Sequence, residues 1–340
     1  MHLKDDLLQA IEQANLVGRG GAAFPVARKW RRIKDLAKPK KYVVCNASEG
    51  EPDVSKDFFL LENYPAEVFK GMLLAMDFLE TKEGYFYINK KYYQALQVKI
   101  DSLIEFCQKR GYLIHLFLEE PSYIGGETGA LLNSIEGKKV QPRYKDPSPS
   151  VLGIFGVPVL LHNVETLYDV ACVSSDKFEQ TRLATISGEG IAKPDVYRVK
   201  SEQNVSEILR QTANYPNFDF FVQVGGGAAG EVLSSVQAET AILSGSGSIR
   251  VFPKTISPYS FLKNLFAFYT RESCGKCSPC RDGSWQLLQL LTGLDEKSEL
   301  PWAKFSPIIK IMDKGSFCNL GKSIALPVRS YAANILGIKV

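Results

Sequence analysis

Three cysteines spaced two residues apart, Cys274, Cys277 and Cys280, restrict the fold of this chain more than any other feature. They lie in the segment "ESCGKCSPCRDG", and we expect them on one tight loop between two helices. A metal centre on such a loop needs a fourth soft ligand. The late segment "GSFCNLG" supplies Cys318 in the same helical region. The C-terminal helices must therefore fold back so that Cys318 meets the loop.

The ligand spacing indicates which metal centre is present. Three closely spaced cysteines and one remote cysteine are typical of a [4Fe–4S] cluster. Structural zinc sites more often use two pairs of cysteines or include a histidine, and His2, His115 and His162 all lie far away in the sequence. We predict a [4Fe–4S] cluster bound by Cys274, Cys277, Cys280 and Cys318, with zinc or free thiols as alternatives.

The first half of the chain alternates predicted strands and helices. The strands are "KKYVVCN", "GYFYIN" and "YLIHLFLEE", and the helices between them are "PAEVFKGMLLAMDFLE" and "KKYYQALQVKIDSLIEFCQKRG". This order with short connections predicts a parallel sheet, whose ligands bind beyond the carboxyl ends of the strands. Residues 141–160 are rich in Pro and Ser and are predicted to form an extended segment.

A glycine-rich loop, "GRGGAAF", precedes the first strand. It fits the dinucleotide-binding pattern only superficially, because a helix rather than a strand comes before it. Gly18 and Gly20 can still bring backbone N–H groups close to a phosphate or a ring, and Lys29 could face the same anion. The alternative is a plain turn that ends the first helix.

Polar loops follow the first and third predicted strands. The loop "NASEGEP" offers Asn46, Glu49 and Glu51, and the loop "GGETG" offers Gly126 and Glu127. Carboxylates and an amide beside glycine-rich backbone suit hydroxyl and ring N–H donors, such as those of a flavin. A solvated loop without a ligand is the alternative.

The predicted fold class is α/β, with three domains. Residues 1–177 form a Rossmann-like parallel-sheet domain for flavin and nucleotide. Residues 178–256 hold short strands around the helix "NVSEILRQTA", which indicates a small α+β domain of the β-grasp kind. Residues 257–340 form a helical domain that carries the cluster.

Composition excludes several classes of protein. The chain has 340 residues, a formal net charge of +4 and 45% hydrophobic residues, which is ordinary for a soluble protein. No apolar run reaches the roughly 18 residues that a membrane span needs, so we expect a cytoplasmic protein, on the cytoplasmic side of any larger assembly. The basic stretch "RKWRRIKDLAKPKK" is predicted to be a solvated helix face and loop, because no basic groove interleaved with aromatic residues accompanies it to indicate nucleic-acid binding.

Six segments in this order resemble one known family. They are "GRGGAAFP", "CNASEGEP", "YIGGETGALLNSIEG", "GVPVLLHNVETL", "ESCGKCSPCRDG" and "FCNLG". The chain resembles the flavin-bearing, NADH-oxidising subunit of respiratory complex I and the related subunits of soluble NAD(P)-linked hydrogenases and formate dehydrogenases. The resemblance implies that FMN accepts a hydride from NADH or NADPH and that electrons then pass singly to the [4Fe–4S] cluster. It also implies a small thioredoxin-like [2Fe–2S] partner subunit and a further iron–sulfur or catalytic subunit.

The resemblance also implies particular site residues. FMN would be contacted by Gly18, Gly20, Lys29, Asn46, Glu49, Tyr123, Gly126, Glu127 and Asn163. Phe24 and Glu51 would lie on the nicotinamide-nucleotide side. Glu51 and Glu127 are the expected catalytic-site carboxylates, and they would position the reactants rather than act as general bases.

Several residues depart from the family pattern. Ser48 stands where an aspartate is usual, Gly125 replaces a cysteine, Thr128 replaces the second glutamate of a pair, and His162 replaces an asparagine. Two hypotheses follow. Loss of a carboxylate at Thr128 and gain of Arg32 would shift the preference toward NADPH. Alternatively, the chain has lost nucleotide binding and relays electrons between partner proteins.

Overall fold

The computed structural model describes residues 2–339. The chain divides into two compact units. The first unit consists of the residues up to Gly50 together with Ser55–Gln180, and the second of Glu51–Val54 together with the residues from Thr181 onward. The three-domain division of the sequence stays a prediction.

A four-stranded parallel sheet organises the first unit. Its strands are β1 (Tyr42–Ala47), β2 (Glu83–Asn89), β3 (Leu113–Glu119) and β4 (Val159–Asn163), in the order β3-β2-β1-β4. All six residues of β1 are buried, as expected of a central strand with both faces covered. The chain adds β2 and β3 on one side of β1 and then crosses to add β4 on the other side. The switch point therefore lies between the carboxyl ends of β1 and β4, where ligands of such sheets bind.

Eight helices accompany this sheet in the described residues. They are α1 (His2–Gln13), α2 (Val26–Lys34), α3 (Lys56–Asn63), α4 (Pro65–Phe78), α5 (Lys90–Lys109), α6 (Thr128–Ile135), α7 (Pro149–Leu152) and α8 (Val164–Val173). Pro65 occupies the first turn of α4, where its missing N–H costs nothing. The side chain of Asn89 caps α5 by accepting from the backbone N–H of Lys91.

The predicted extended segment, residues 141–160, is only partly extended. It contains the short helix α7 and the first residues of β4. The sequence does not indicate that β4 is a strand. Its five residues follow Pro158 directly and are followed at once by α8, so they show no separate strand pattern. Pairing with β1, from Tyr42 opposite Val159 to Asn46 opposite Asn163, makes it a strand.

The second unit begins with a five-stranded mixed sheet. Its strands are β5 (Thr181–Gly188), β6 (Asp195–Lys200), β7 (Phe220–Val224), β8 (Glu231–Ser234) and β9 (Ser248–Pro253), in the order β6-β5-β9-β7-β8. The pair β5–β9 is parallel and the other pairs are antiparallel. Helix α9 (Val205–Gln211) packs on this sheet, and a reciprocal pair of hydrogen bonds between Asn204 and Glu207 caps it.

Five helices complete the second unit in the described residues. They are α10 (Pro258–Glu272), α11 (Ser278–Gln289), α12 (Trp302–Gly315), α13 (Asn319–Ser323) and α14 (Ala325–Asn334). The rings of Phe261 and Tyr331 stack at 4.2 Å, and Ser330 of α14 accepts from the backbone N–H of Val232. The α/β fold class is confirmed, with a parallel-sheet domain, a mixed sheet and C-terminal helices. None of the helices described between residues 2 and 339 is both long and apolar enough to cross a membrane.

One local expectation about the cysteines is wrong. Helix α11 begins at Ser278, with Pro279 in its first turn, so Cys280 is helical rather than part of the loop. A proline at the start of a helix has the required backbone angle already, which explains the early start. Cys274 and Cys277 remain before the helix.

Candidate functional site

A polar cleft lies at the switch point of the parallel sheet. It encloses about 550 Å³ and opens to solvent. Seven residues expected at a flavin site line it, namely Gly18, Gly20, Phe24, Lys29, Asn46, Gly126 and Asn163. Thr128, His162 and Thr166 also line it. Thr128 and His162 stand out in the sequence only as departures from the family pattern. Thr166 has no sequence signal of its own, and it lies in the first turn of α8.

Hydrogen bonds close one side of this cleft. Nδ2 of Asn46 donates to the carbonyl of Gly126 over 3.0 Å, and Oδ1 of Asn46 accepts from the backbone N–H of Ser48 over 3.0 Å. The loops approach so closely that a Cβ at Gly50 would lie 2.7 Å from Cα of Tyr123. A glycine is therefore required at Gly50, since any side chain would force the two loops apart.

The glycine-rich loop is fastened to helix α8. The backbone N–H of Arg19 donates to Oγ1 of Thr166 over 2.9 Å, and the Arg19 side chain pairs with Asp169 at 2.9 Å. The loop is thus held over the start of α8. Its glycines face the cleft without side chains, which leaves their backbone accessible to a ligand.

Lys29 places a buried cation at the cleft. Its Nζ donates to the carbonyl of Leu161, and no carboxylate within residues 2–339 pairs with it. Burial lowers the pKa of Lys29 to about 8. An anionic ligand would favour the charged form and compensate for the burial, so the site suits a phosphate or an electron-rich ring.

A buried ionic cluster adjoins the cleft through Asn163. Nδ2 of Asn163 donates to Asp57 over 2.6 Å, while its Oδ1 accepts from Lys56 over 3.2 Å. Lys56 also pairs with Asp57 at 2.9 Å and with Glu165 at 3.0 Å. Glu49 completes the cluster, accepting from the backbone N–H of Asp57 and from the hydroxyl of Tyr92. One lysine therefore faces three carboxyl groups.

This imbalance of charge determines which group holds a proton. Burial, followed by the charge of Asp57, raises the pKa of Glu49 to about 8. Burial also raises the pKa of Asp57, against the opposing effect of Lys56. The desolvated cluster is therefore best satisfied when Glu49 is neutral at pH 7.

Four of the expected site residues do not line the cleft. Glu49 lies in the ionic cluster and Tyr123 lies against Gly50. Glu127 caps α6 by accepting from the backbone N–H of Ala130 over 2.9 Å. Glu51 belongs to the second unit, where it accepts from the backbone N–H of Ala228 over 2.8 Å. Their roles toward flavin and nucleotide stay predictions.

A second buried carboxyl group lies at the end of β3. A Cβ at Gly125 would lie 1.5 Å from Oε1 of Glu119, so Glu119 occupies the space of a side chain at that position. Oε2 of Glu119 and the hydroxyls of Ser48 and Tyr87 are buried without a hydrogen-bond partner in the described residues. Burial raises the pKa of Glu119 to about 7.

Three of the four candidate cluster cysteines lie at the starts of helices in the second unit, and the fourth lies shortly before one of them. Cys277 is the N-cap of α11, Cys280 lies in its first turn, and Cys318 is the N-cap of α13. Cys274 lies in the loop between α10 and α11. Helix N-termini favour thiolates, because their free N–H groups and partial positive charge stabilise the anion. The structure thus brings all four cysteines into settings suited to metal thiolates.

The four thiols are also close together. Burial, together with the charges of Cys277, Cys318 and Cys274, raises the pKa of Cys280 to about 11. The backbone N–H of Phe317 donates to Sγ of Cys277 over 3.4 Å. Within residues 2–339, no three His, Cys, Asp or Glu side chains have the geometry of a single-ion site. The cluster assignment therefore rests on the donor set and on the comparisons that follow.

Both expected groups fit the residues present. The cleft offers a glycine-lined wall and the buried cation of Lys29, which suit the phosphate and polar ring of FMN. The helix starts of the second unit offer the four thiolates that a [4Fe–4S] cluster requires.

Two family models match the chain. Residues 11–172 match the Nuo51 FMN-binding domain, and residues 260–334 match the NADH-ubiquinone oxidoreductase-F iron-sulfur binding region. Similar proteins include the NADH-quinone oxidoreductase F subunit of Buchnera aphidicola subsp. Schizaphis graminum, which is 32% identical over 86% of this chain and 73% of the relative. The corresponding F 2 protein from Rhizobium meliloti is 28% identical over 96% of this chain and 86% of the relative.

A solved structure has the same fold. The chain aligns with a chain of an NAD⁺-reducing [NiFe]-hydrogenase in its H₂-reduced state with a TM-score of 0.90 and 30% identity. The match covers 98% of this chain and spans 61% of the hydrogenase chain.

An FMN-binding domain followed by a [4Fe–4S] region defines a flavin and iron–sulfur electron-transfer subunit of an oxidoreductase. The chain belongs to the family of NADH-quinone oxidoreductase F subunits. The predictions of this family, of both cofactors and of an NADH-dehydrogenase type of subunit are confirmed. The zinc alternative is wrong, since the matching C-terminal region is an iron–sulfur one.

Proposed function

We propose that this chain oxidises NADH at FMN bound in the cleft of the first unit and passes the electrons to a [4Fe–4S] cluster in the second. The observation that carries the proposal is the presence, in one chain, of a glycine-lined cleft with a buried lysine and of four cysteines at helix starts. Bound FMN supplies the conversion of a two-electron hydride transfer into single-electron steps, which an iron–sulfur cluster requires.

The side chains around the cleft hold and orient the reactants. Lys29 supplies positive charge, and Asn46 and Asn163 fix the two edges of the cleft. Glu49 holds a proton at neutral pH and connects to Asn163 through Asp57.

NADH is the proposed nucleotide. Its support is the naming of the relatives as NADH-quinone oxidoreductase subunits. Arg32 is an exposed residue of α2 and does not line the cleft, which removes one of the two reasons for a preference for NADPH. Thr128 does line it, so the loss of a carboxylate at that position remains the one feature that favours NADPH.

The partners are proposed from the same relatives, which are subunits of larger complexes. We propose a small thioredoxin-like [2Fe–2S] subunit and a further iron–sulfur or catalytic subunit, in an assembly whose members of this kind lie on the cytoplasmic side. Co-purification of the tagged chain, with metal and sulfide analysis of each partner, tests this part.

The test of the reaction is an anaerobic titration of the cofactor-loaded protein with NADH and, separately, with NADPH. Flavin absorbance near ~450 nm reports reduction. Bleaching by NADH at lower concentrations than by NADPH supports the proposal. Flavin that is bleached by dithionite and by neither nucleotide would refute it and establish the electron-relay hypothesis instead.

A further inference from the structure

His162 has one ring nitrogen committed to a buried partner. It is the penultimate residue of β4, and only 3% of it is exposed. Its Nε2 lies 2.9 Å from Nε1 of Trp30, which is fully buried in α2. An indole N–H can only donate, so Nε2 of His162 must be the acceptor and cannot carry a proton.

The surroundings keep this imidazole neutral. Burial, followed by the positive charge of Lys29, holds the pKa of His162 well below its ordinary value. A neutral imidazole carries one proton, and Trp30 excludes that proton from Nε2. His162 is therefore the tautomer protonated on Nδ1, and Nδ1 is a hydrogen-bond donor.

This donor has no acceptor within residues 2–339. The bond with Trp30 is the one hydrogen bond that the structure gives to the His162 side chain there. His162 also lines the cleft, between Leu161, whose carbonyl binds Lys29, and Asn163, which joins the ionic cluster. Nδ1 of His162 is not among the buried polar atoms that lack a partner in the described residues, so it reaches the open space of the cleft, where a ligand can accept from it.

We infer that His162 is a further FMN-contacting residue, whose Nδ1–H donates to an acceptor atom of the bound FMN, and that Trp30 is a positioning residue that fixes the tautomer. FMN carries hydrogen-bond acceptors on its phosphate, its ribityl chain and its ring. The tautomer of His162 that is protonated on Nε2 would turn the lone pair of Nδ1 toward these acceptors and could not donate to them. The inference rests on FMN binding alone and does not depend on which nucleotide reduces the flavin.

Nitrogen-15 NMR of the wild-type full chain tests the tautomer directly. The chain has three histidines, so ¹⁵N-histidine labelling and one His162→Asn spectrum identify the His162 signals. We expect a single Nδ1–H tautomer in the FMN-free protein and a change of the Nδ1 shift when FMN is added. A proton found on Nε2, or an Nδ1 shift that FMN leaves unchanged, would overturn the inference in the wild-type protein itself.

Three variants test the consequence for affinity, with FMN fluorescence as the measurement. His162→Leu removes the donor and is expected to raise the FMN dissociation constant about tenfold. His162→Asn keeps a donor and should recover most of that loss. Trp30→Phe leaves His162 in place but frees its tautomer, so both tautomers should appear in the NMR spectrum and FMN should bind more weakly than to wild type.

Unchanged FMN affinity in folded His162→Leu would refute the contact. Cluster content, measured in the same samples, shows that the second unit of each variant is intact. Wild-type protein that binds FMN but is bleached by no nucleotide would refute the proposed reaction while the His162 contact stood, so the two failures are distinguishable.

Discussion

Lys56 lies among three buried carboxyl groups, those of Glu49, Asp57 and Glu165, and its removal is expected to be costly. Its Nζ lies 2.9 Å from Asp57 and 3.0 Å from Glu165, and only 3% of the residue is exposed. Lys56→Met keeps much of the apolar stem but takes the ammonium group away from both carboxylates. Removing one partner of a buried ion pair costs about 3–5 kcal/mol, and we expect that loss in the free energy of unfolding at pH 7.

The loss should shrink as the pH falls. Without Lys56, the folded-state pKa of Asp57, which burial already raises, rises further above its unfolded value of about 4. A carboxyl group with a raised folded-state pKa contributes stability below its unfolded pKa and loses it as the pH rises. The difference between Lys56→Met and wild type should therefore be smallest near pH 4 and grow toward pH 7.

Urea unfolding, followed by fluorescence from pH 4 to pH 8, measures both effects. Lys82→Met is the matched control, since Lys82 pairs with Asp77 at 2.8 Å on the exposed surface. Exposed pairs contribute little, so the control should lose a small fraction of the stability lost by Lys56→Met. Equal losses in both variants, or a Lys56→Met loss that does not vary with pH, would refute the proposed charge balance.

Three further predictions follow from the site. Glu49→Gln should reduce the decline in the free energy of unfolding between about pH 4.5 and pH 8, because the raised pKa of Glu49 costs stability as the pH rises through that range; a decline as steep as that of the wild type would contradict it. Gly125→Ala should lower the free energy of unfolding by about 1–3 kcal/mol, because its Cβ would meet the Glu119 carboxylate. In a double-mutant cycle, adding Glu119→Ala should recover part of that loss. Cys277→Ala should abolish the cluster signal in electron paramagnetic resonance yet leave FMN affinity largely intact, since the ligand belongs to the second unit, and joint loss would speak against separate sites.

Features encoded by local patterns could be predicted from the sequence. Helices α4 and α5 begin at the residues predicted for them, and the three predicted strands of the first unit lie where expected. The family motifs locate seven of the cleft residues because those motifs are short and contiguous.

What depends on distant pairing was not visible in the sequence. Strand β4 exists through its register with β1, and the ionic cluster joins Lys56 of α3 to Glu165 of α8, two helices that are distant in the sequence. The tautomer of His162 depends on Trp30, which precedes it by more than a hundred residues. Such contacts leave no periodicity, so only the folded chain reveals them.

The short segment Glu51–Val54 has a consequence for synthesis on the ribosome. Its Glu51 binds the backbone N–H of Ala228, and its Asp53 pairs with Arg250 at 2.7 Å. Those partners are translated roughly 200 residues later, which takes about 10–40 s at typical elongation rates. The nascent chain thus carries an acidic segment without its final partners for most of its synthesis. The second unit can therefore be completed only after both the early segment and its late partners have been synthesised.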